Sequence, residues 1–264
     1  MKNIRFISRS DDLGSSHSAN LAIEKVVNAG FIKNVSVMAC GPTVEEAASL
    51  LAHRREICFG MHTTLNAEWD QVKWGPVLEL DGHSGLIDNN GFFLAHPSMF
   101  TQTKPPVEVI MREVSAQLDR LHRLGFPIRY IDSHMFPEMY VEGLDEAMEA
   151  FSKQKGLIDH MYYYQLPHWG VNLCNAKEID QLSSGQYFGV SHPSLNTREM
   201  CMTGNASVRG EDIATFRARE TALLSDAQFL QKLEQAGVQG IRYDEAHFVQ
   251  RLTATDLARI LSGG

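Results

Sequence analysis

Short apolar runs rich in β-branched and aromatic residues recur along the chain, each followed by a stretch with apolar positions at helical spacing. The runs predict strands at residues 4–8, 35–39, 57–61, 128–132, 160–164, 187–191 and 239–243. Between them, Leu21, Ile23, Val26 and Val27, and later Leu50 and Leu51, mark helices. Thr43-Val44-Glu45-Glu46 reads as a capping box, in which a hydroxyl and a carboxylate reciprocally satisfy free amides, and Ser225-Asp226-Ala227-Gln228 repeats it. Gly30, Gly125 and Gly237 fall where helices need a left-handed end residue.

Strands alternating with helices predict parallel pairing through crossovers, hence an α/β class. The fold expected is an irregular (β/α) barrel of about seven parallel strands, TIM-barrel-like, with a doubly wound open sheet as the alternative that periodicity does not separate. No linker or repeat interrupts residues 1–264, so one domain is expected. Residues 62–105 break the rhythm, rich in Gly, Asp, Asn and Pro and without a clear helix. A connection that long is usually functional, and it is read as an active-site loop, a flap with a small hairpin at the Asn90-Gly91 turn.

Composition narrows the partners. Asp plus Glu number 32 against 24 Lys plus Arg, a formal charge of −8, and no basic block is present. Neither nucleic acid nor a membrane surface is an expected partner. The N-terminus carries charges within too short an apolar run for a signal peptide, and no segment approaches a membrane span, so a cytoplasmic location is the default. Cys40, Cys58, Cys174 and Cys201 lack Cys-x-x-Cys spacing and read as reduced thiols. A homodimer is the default assembly.

The chemistry gathers where strands end. The first strand runs into Asp11-Asp12, the third into His62, the fourth into Asp132-Ser133-His134 and the sixth into Ser191-His192. In a parallel barrel all these ends open on one face. A carboxylate and two neutral imidazoles can hold a divalent cation, which would polarise a carbonyl and acidify water. A second carboxylate can then take a proton, and a further histidine can give one to a leaving group. Taken singly, Asp11-Asp12 could be a helix cap and His62 a structural histidine. His17, His53, His83, His96, His122 and His247 are expected to face solvent. His168 and Trp169 follow the Tyr162-Tyr163-Tyr164 run and are candidates to line a pocket, where aromatics would stack on a sugar or simply pack.

These residues together resemble the YdjC-like carbohydrate deacetylases, the family that includes the chitooligosaccharide deacetylases. The matching pieces, in family order, are Asp11-Asp12-Leu13-Gly14 with Asn20, Gly60-Met61-His62-Thr63-Thr64-Leu65, Asp132-Ser133-His134, Ser191-His192-Pro193 and Arg217-Ala218-Arg219-Glu220. The resemblance implies metal-dependent removal of an N-acetyl group from an amino sugar or small chitooligosaccharide. It implies one divalent ion, magnesium or zinc, on Asp12, His62 and His134, with Asp11 as base and His192 as acid. Asp132 is expected to orient an imidazole, and Phe136, His168, Trp169 and Arg217 are candidates to line the substrate site. Two departures stand out: Phe136 where relatives commonly carry a second histidine, and Leu13 in place of the more usual Phe. Another metal-dependent hydrolase, such as a phosphoesterase, and a non-catalytic sugar- or metal-binding protein are the alternatives. Phosphate usually brings a Gly-rich loop or an Arg/Lys cluster, and the sequence displays neither.

Overall fold

The computed structural model describes residues 2–167 and 176–263. In chain order the elements are β1 (Ile4–Leu13), α1 (His17–Asn28), β2 (Asn34–Val37), α2 (Val44–Leu51), β3 (Cys58–Thr63), α3 (Phe100–Thr103), α4 (Val107–Arg123) and β4 (Ile128–Ser133). There follow α5 (Leu144–Lys155), β5 (Ile158–Asp159), α6 (Ala176–Gln181), β6 (Gly185–Ser191), α7 (Arg198–Cys201), α8 (Gly210–Leu224), α9 (Ala227–Gln235), β7 (Val238–Ile241) and α10 (Ala254–Gly263). Every strand pairing is parallel, in the order β5-β4-β3-β2-β1-β6 with β7 also on β1. The sheet curls into a half-barrel, the irregular TIM-barrel-like form expected.

The irregularity lies at β1. Residues Ile4 to Ser10 of it pair with β6, while its other edge is divided between β7 at Ile4–Ile7 and β2 from Arg9 onward. Asn34 fills the fork. Its buried amide donates to Ser8 O and Ile241 O, at 3.0 and 2.9 Å, and accepts from the Tyr243 N–H at 2.8 Å. A fork leaves backbone groups that no ladder pairs, and one side-chain amide supplies both missing acceptor and donors.

Strand residues alternate between two cores. Phe6, Val35, Val37, Phe59 and Met61 face outward onto Ile23, Val26, Leu51, Val114 and Leu118 of the helices. Ile7, Cys58, Tyr130, Phe188, Ile241 and Tyr243 face inward as an aromatic plug. Tyr130 fits only because Gly60 lies beneath it, where an added Cβ would come within 2.1 Å of the ring. Cys40 and Cys58 are free and buried, and burial pushes both thiols up to about 12, so they behave as inert core groups.

Three local expectations are corrected. Residues 160–164 are not a strand: β5 stops at Asp159, whose carboxylate accepts the Met161 N–H and starts a 3-10 turn, His160–Tyr162. The tyrosines pack on Tyr243 and Phe188 instead of pairing. Thr43 makes no cap bond; its hydroxyl donates to Gly14 O, and Glu46 accepts from Asn20 and His17, so tertiary contacts displace the capping box. At the second such motif the cap is Asp226, accepting from Phe229 N–H, while Ser225 donates back to Thr221 O. Gly30, Gly125 and Gly237 have φ of +97°, +89° and +79°, as their positions require.

The segment 62–105 is a packed wall. Trp74, Leu86, Phe93 and Phe100 are buried in the main core, and a single antiparallel bridge, Ile87 to Phe93, closes the small hairpin. From α4, Glu113 accepts the Val77 and Leu78 N–H groups, and Gln117 bonds both backbone groups of Thr64. Among the described residues no helix is long and apolar enough to cross a membrane.

Candidate metal centre and substrate cavity

The inward positions of the strands carry different chemistry at successive levels, because side chains two apart share a face. Ile7, Arg9 and Asp11 rise along β1; Cys58, Gly60 and His62 along β3; Tyr130, Asp132 and His134 along β4; and Phe188, Val190 and His192 along β6. The aromatic plug is therefore the floor of a polar mouth. Asp11, Asp12, His62, His134, Phe136, His192 and Arg217 all line one cavity of about 520 Å³. Asp132 sits below it, fully buried behind His62. His168 and Trp169 lie outside the described residues.

Asp11 and Asp12 should point to opposite faces of a regular strand. They do not, because the β1–β2 register slips between Ser10 and Leu13 and Asp12 adopts φ +67°. A bulge of this kind re-aims a side chain, and here it brings two carboxylates to one cavity. The turn that follows is held by Asn20, whose side chain accepts the Gly14 N–H at 2.8 Å and donates to Thr43 O and Glu46.

Asp12 Oδ1 lies 3.5 Å from His62 Nε2 and 3.6 Å from His134 Nδ1, and those two nitrogens are 3.1 Å apart. The far nitrogen of each ring faces a carboxylate. His62 Nδ1 is 3.2 Å from Asp132 Oδ1, its cross-strand neighbour in the ladder, and His134 Nε2 is 3.0 Å from Glu68 Oε2. A carboxylate accepts only, so the protons of neutral rings belong on the far nitrogens. Two lone pairs and the Asp12 oxygen then converge, and that oxygen is buried without a hydrogen bond. Three such acceptors facing one another suit a cation. Their spacing suits an ion bound at about 2.0–2.2 Å from each donor.

The electrostatics agree. Among the described residues, Asp11, Asp12, Asp132 and Glu68 are met by two arginines, Arg9 and Arg217, beside the imidazoles of His62 and His134, an excess of negative charge suited to a divalent cation. Burial opposes charge on His62, yet Asp132 and Asp11 raise its imidazole well above the ordinary range. The field that draws a proton there draws a metal as well. Burial would also push the Asp12 carboxyl up, but Arg217, 2.8 Å from Oδ2, and His62 hold it far below the carboxylate range. Asp132 is likewise kept ionised against burial by Arg9 and His62.

Three residues at the cavity, Arg9, Glu68 and Trp69, escape the sequence reading, and Glu220 enters it only as part of a motif, without a role. Arg9 is buried; its Nε and NH2 face the two oxygens of Asp11 at 2.8 Å each, its NH1 is 3.0 Å from Asp132 and 3.1 Å from the Tyr243 hydroxyl. It lies two residues before Asp11, so the strand period already placed it on the same face. Glu68 and Trp69 reach the cavity from the long segment, whose irregular backbone hides them. Glu220 on α8 accepts the His192 backbone N–H at 2.8 Å; burial pushes its carboxyl up to about 7. His96, expected in solvent, is half-buried at the cavity edge against Tyr140. Phe136 follows Met135, both with positive φ, and its ring lies parallel to His160 and edge-on to Tyr164. Burial lowers the His192 imidazole, with Arg217 adding to the effect and Asp12 opposing it.

The profile of the YdjC-like protein family matches residues 5–157. The chain belongs to the YdjC-like protein family. The matched span carries Asp11, Asp12, His62, Asp132 and His134, while His192 and Arg217 lie beyond it. A carbohydrate deacetylase of Vibrio cholerae is 26% identical over 131 residues, half of this chain and 48% of that protein. This YdjC-like protein thus spans about half the length of the Vibrio cholerae relatives it matches. A carbohydrate deacetylase of Geobacillus stearothermophilus is 24% identical over 255 residues, 90% of this chain and 96% of the relative. A solved structure from Enterococcus faecalis, provisionally assigned to cellobiose-phosphate cleavage, superposes with a TM-score of 0.73 at 18% identity, covering 92% of this chain and 98% of its own. At that identity it bears on the fold alone.

Proposed function

We propose that the protein is a metal-dependent carbohydrate deacetylase, hydrolysing the N-acetyl amide of an amino sugar or small chitooligosaccharide. The observation that carries the reading is the convergence of three acceptor atoms, Asp12 Oδ1, His62 Nε2 and His134 Nδ1, each backed by a residue that fixes its orientation. The deacetylase names of the relatives supply the substrate class.

Asp12, His62 and His134 would hold the cation, magnesium or zinc being the expected identities. A bound cation would polarise the amide carbonyl and make water easier to deprotonate. Asp11 takes the proton from water. Arg9 faces both its oxygens and so holds the base in orientation. His192 stands on the same cavity with its backbone tied to Glu220 and delivers a proton to the departing amine. Because burial favours its neutral form, it must take up that proton before giving it. Asp132 and Glu68 keep the imidazoles turned toward Asp12. Phe136, Trp69 and Arg217 shape the substrate cavity.

A phosphoesterase needs free cations for phosphate. The cavity does contain two arginines, Arg217, a candidate from the sequence, and Arg9, which the sequence reading missed, but Arg9 is committed to Asp11 and Asp132, and Arg217 to Asp12. Amide hydrolysis is therefore the better reading. Product balance on an N-acetylated chitooligosaccharide tests it: acetate and free amine should appear in equal amounts, with no inorganic phosphate from sugar phosphates. Asp11→Asn should lose about 10²–10⁴-fold in turnover while retaining metal. Phosphate release without acetate would replace the assignment, and saccharide binding without any turnover would leave a non-catalytic binder.

A further inference from the structure

Among the described residues, Asp11, His62 and Asp132 form a second group of buried donors. One atom from each lies within 4.8 Å of the others, the same compactness as Asp12, His62 and His134, and the two groups share His62. Across the carboxylates of this second group stands a cation of the chain's own. Arg9 is 2% exposed and sits one strand step below Asp11, on the same face of β1. Its Nε and NH2 meet the two Asp11 oxygens at 2.8 Å each, and its NH1 lies 3.0 Å from Asp132 Oδ2. The Tyr243 hydroxyl, 3.1 Å from NH1, and the Phe188 ring, 5.3 Å from the guanidinium carbon, add a polar and an aromatic contact. A guanidinium keeps its charge throughout the pH range of a folded protein and offers neither a lone pair nor an open coordination position. It neutralises carboxylates as a metal would, without a metal's hold on an imidazole or on water.

We propose that Arg9 stands in for a second metal ion. Its guanidinium fills the cation position among Asp11, His62 and Asp132, and so confines the divalent ion to Asp12, His62 and His134. The proposal rests on the metal reading of that first group. Charge explains why a cation is needed, since two buried carboxylates left side by side without a partner are costly. Geometry explains why this cation excludes the other: its N–H groups occupy the oxygen atoms that a metal would take. A divalent ion in the second group would compete for His62 and bind Asp11. With Arg9 in that place, His62 remains with His134, and Asp11 stays off the metal. Arg9 is thus a positioning residue, setting where the ion sits and how many the centre holds.

The test counts zinc per chain by metal analysis after dialysis. It compares wild type, His134→Ala, and two double variants that add Arg9→Ala or Arg9→Gln to His134→Ala. Wild type should hold about one ion and His134→Ala none, because the first group is broken. Removing the guanidinium as well should restore about one ion, now on the second group. Adding Asp132→Ala to either double variant should remove it again. Near-UV circular dichroism reports whether each protein is folded, and Arg9→Gln keeps more of the buried packing than Arg9→Ala. A double variant unfolded in chelator should regain its fold with about one equivalent of zinc. No zinc in either double variant, folded or titrated, overturns the proposal, and so does binding that survives the loss of Asp132. Wild type without zinc would end the metal reading of Asp12, His62 and His134 by itself. The Arg9 variants would still decide the second position: zinc gained when the guanidinium is removed supports it, and zinc not gained overturns it.

Discussion

Asp12 owes its place to a single backbone irregularity. With φ near +67° it lies where non-glycine residues rarely sit, and the bulge costs ladder pairing. In return both Asp11 and Asp12 reach the cavity, so neighbouring carboxylates can take separate parts, one on the cation and one on the proton. Asp12→Ala and His134→Ala should each abolish stoichiometric metal binding, read by metal analysis after dialysis, whereas Asp11→Asn should not. Gly60 shows the opposite economy of space. Gly60→Ala would drive a methyl into the Tyr130 ring, so unfolding free energy should fall by about 1–3 kcal/mol, measured as a shift of the urea midpoint.

At the scale of elements, the strands were legible because each is an apolar run, and the polar mouth because the same two-residue period continues beyond the last apolar position. His62, Asp132, His134 and His192 could all be placed from that rule. Arg9 obeys it too, two residues before Asp11 and just beyond the last apolar position of the first run. Glu68 and Trp69 were invisible because they stand on irregular backbone fixed by distant contacts, Glu113 and Gln117 of α4, that no local pattern encodes. The tyrosine run failed as a strand because aromatic strand propensity reflects packing on a half-buried surface, which these rings find without pairing. The fork at β1 belongs to this scale as well. Asn34→Ala would remove the side-chain bonds to Ser8 O, Ile241 O and the Tyr243 N–H at the junction of β1, β2 and β7 and should cost about 2–3 kcal/mol of stability by chemical denaturation.

For the molecule as a whole, buried charge also sets the dependence of stability on pH. Beneath the cavity, Glu138 bonds the hydroxyl of Ser133, between Asp132 and His134, and its other oxygen is buried without a partner. Burial pushes its carboxyl up to about 7, from 4.5, with Asp159 and Asp145 contributing. The folded protein therefore holds a proton that the unfolded chain releases between pH 4.5 and 7. The stabilisation linked to that proton is complete below about pH 4.5 and is lost as pH rises through 7. Glu138→Gln keeps a neutral partner for Ser133 and should raise Tm relative to wild type at pH 8, by up to about 3 kcal/mol of stability, with the two proteins converging near pH 4.5. A constant difference across that range would contradict the assignment.

The centre at Asp12, His62 and His134 unites the fold, the family and the chemistry, and one experiment reaches it directly. Protein stripped by chelator is assayed for acetate release from N,N′-diacetylchitobiose before and after addition of magnesium or zinc. Activity absent in the stripped protein, restored by metal, and lost again in a His62→Ala, His134→Ala double variant is the predicted result. Full activity in that metal-free double variant would contradict the account.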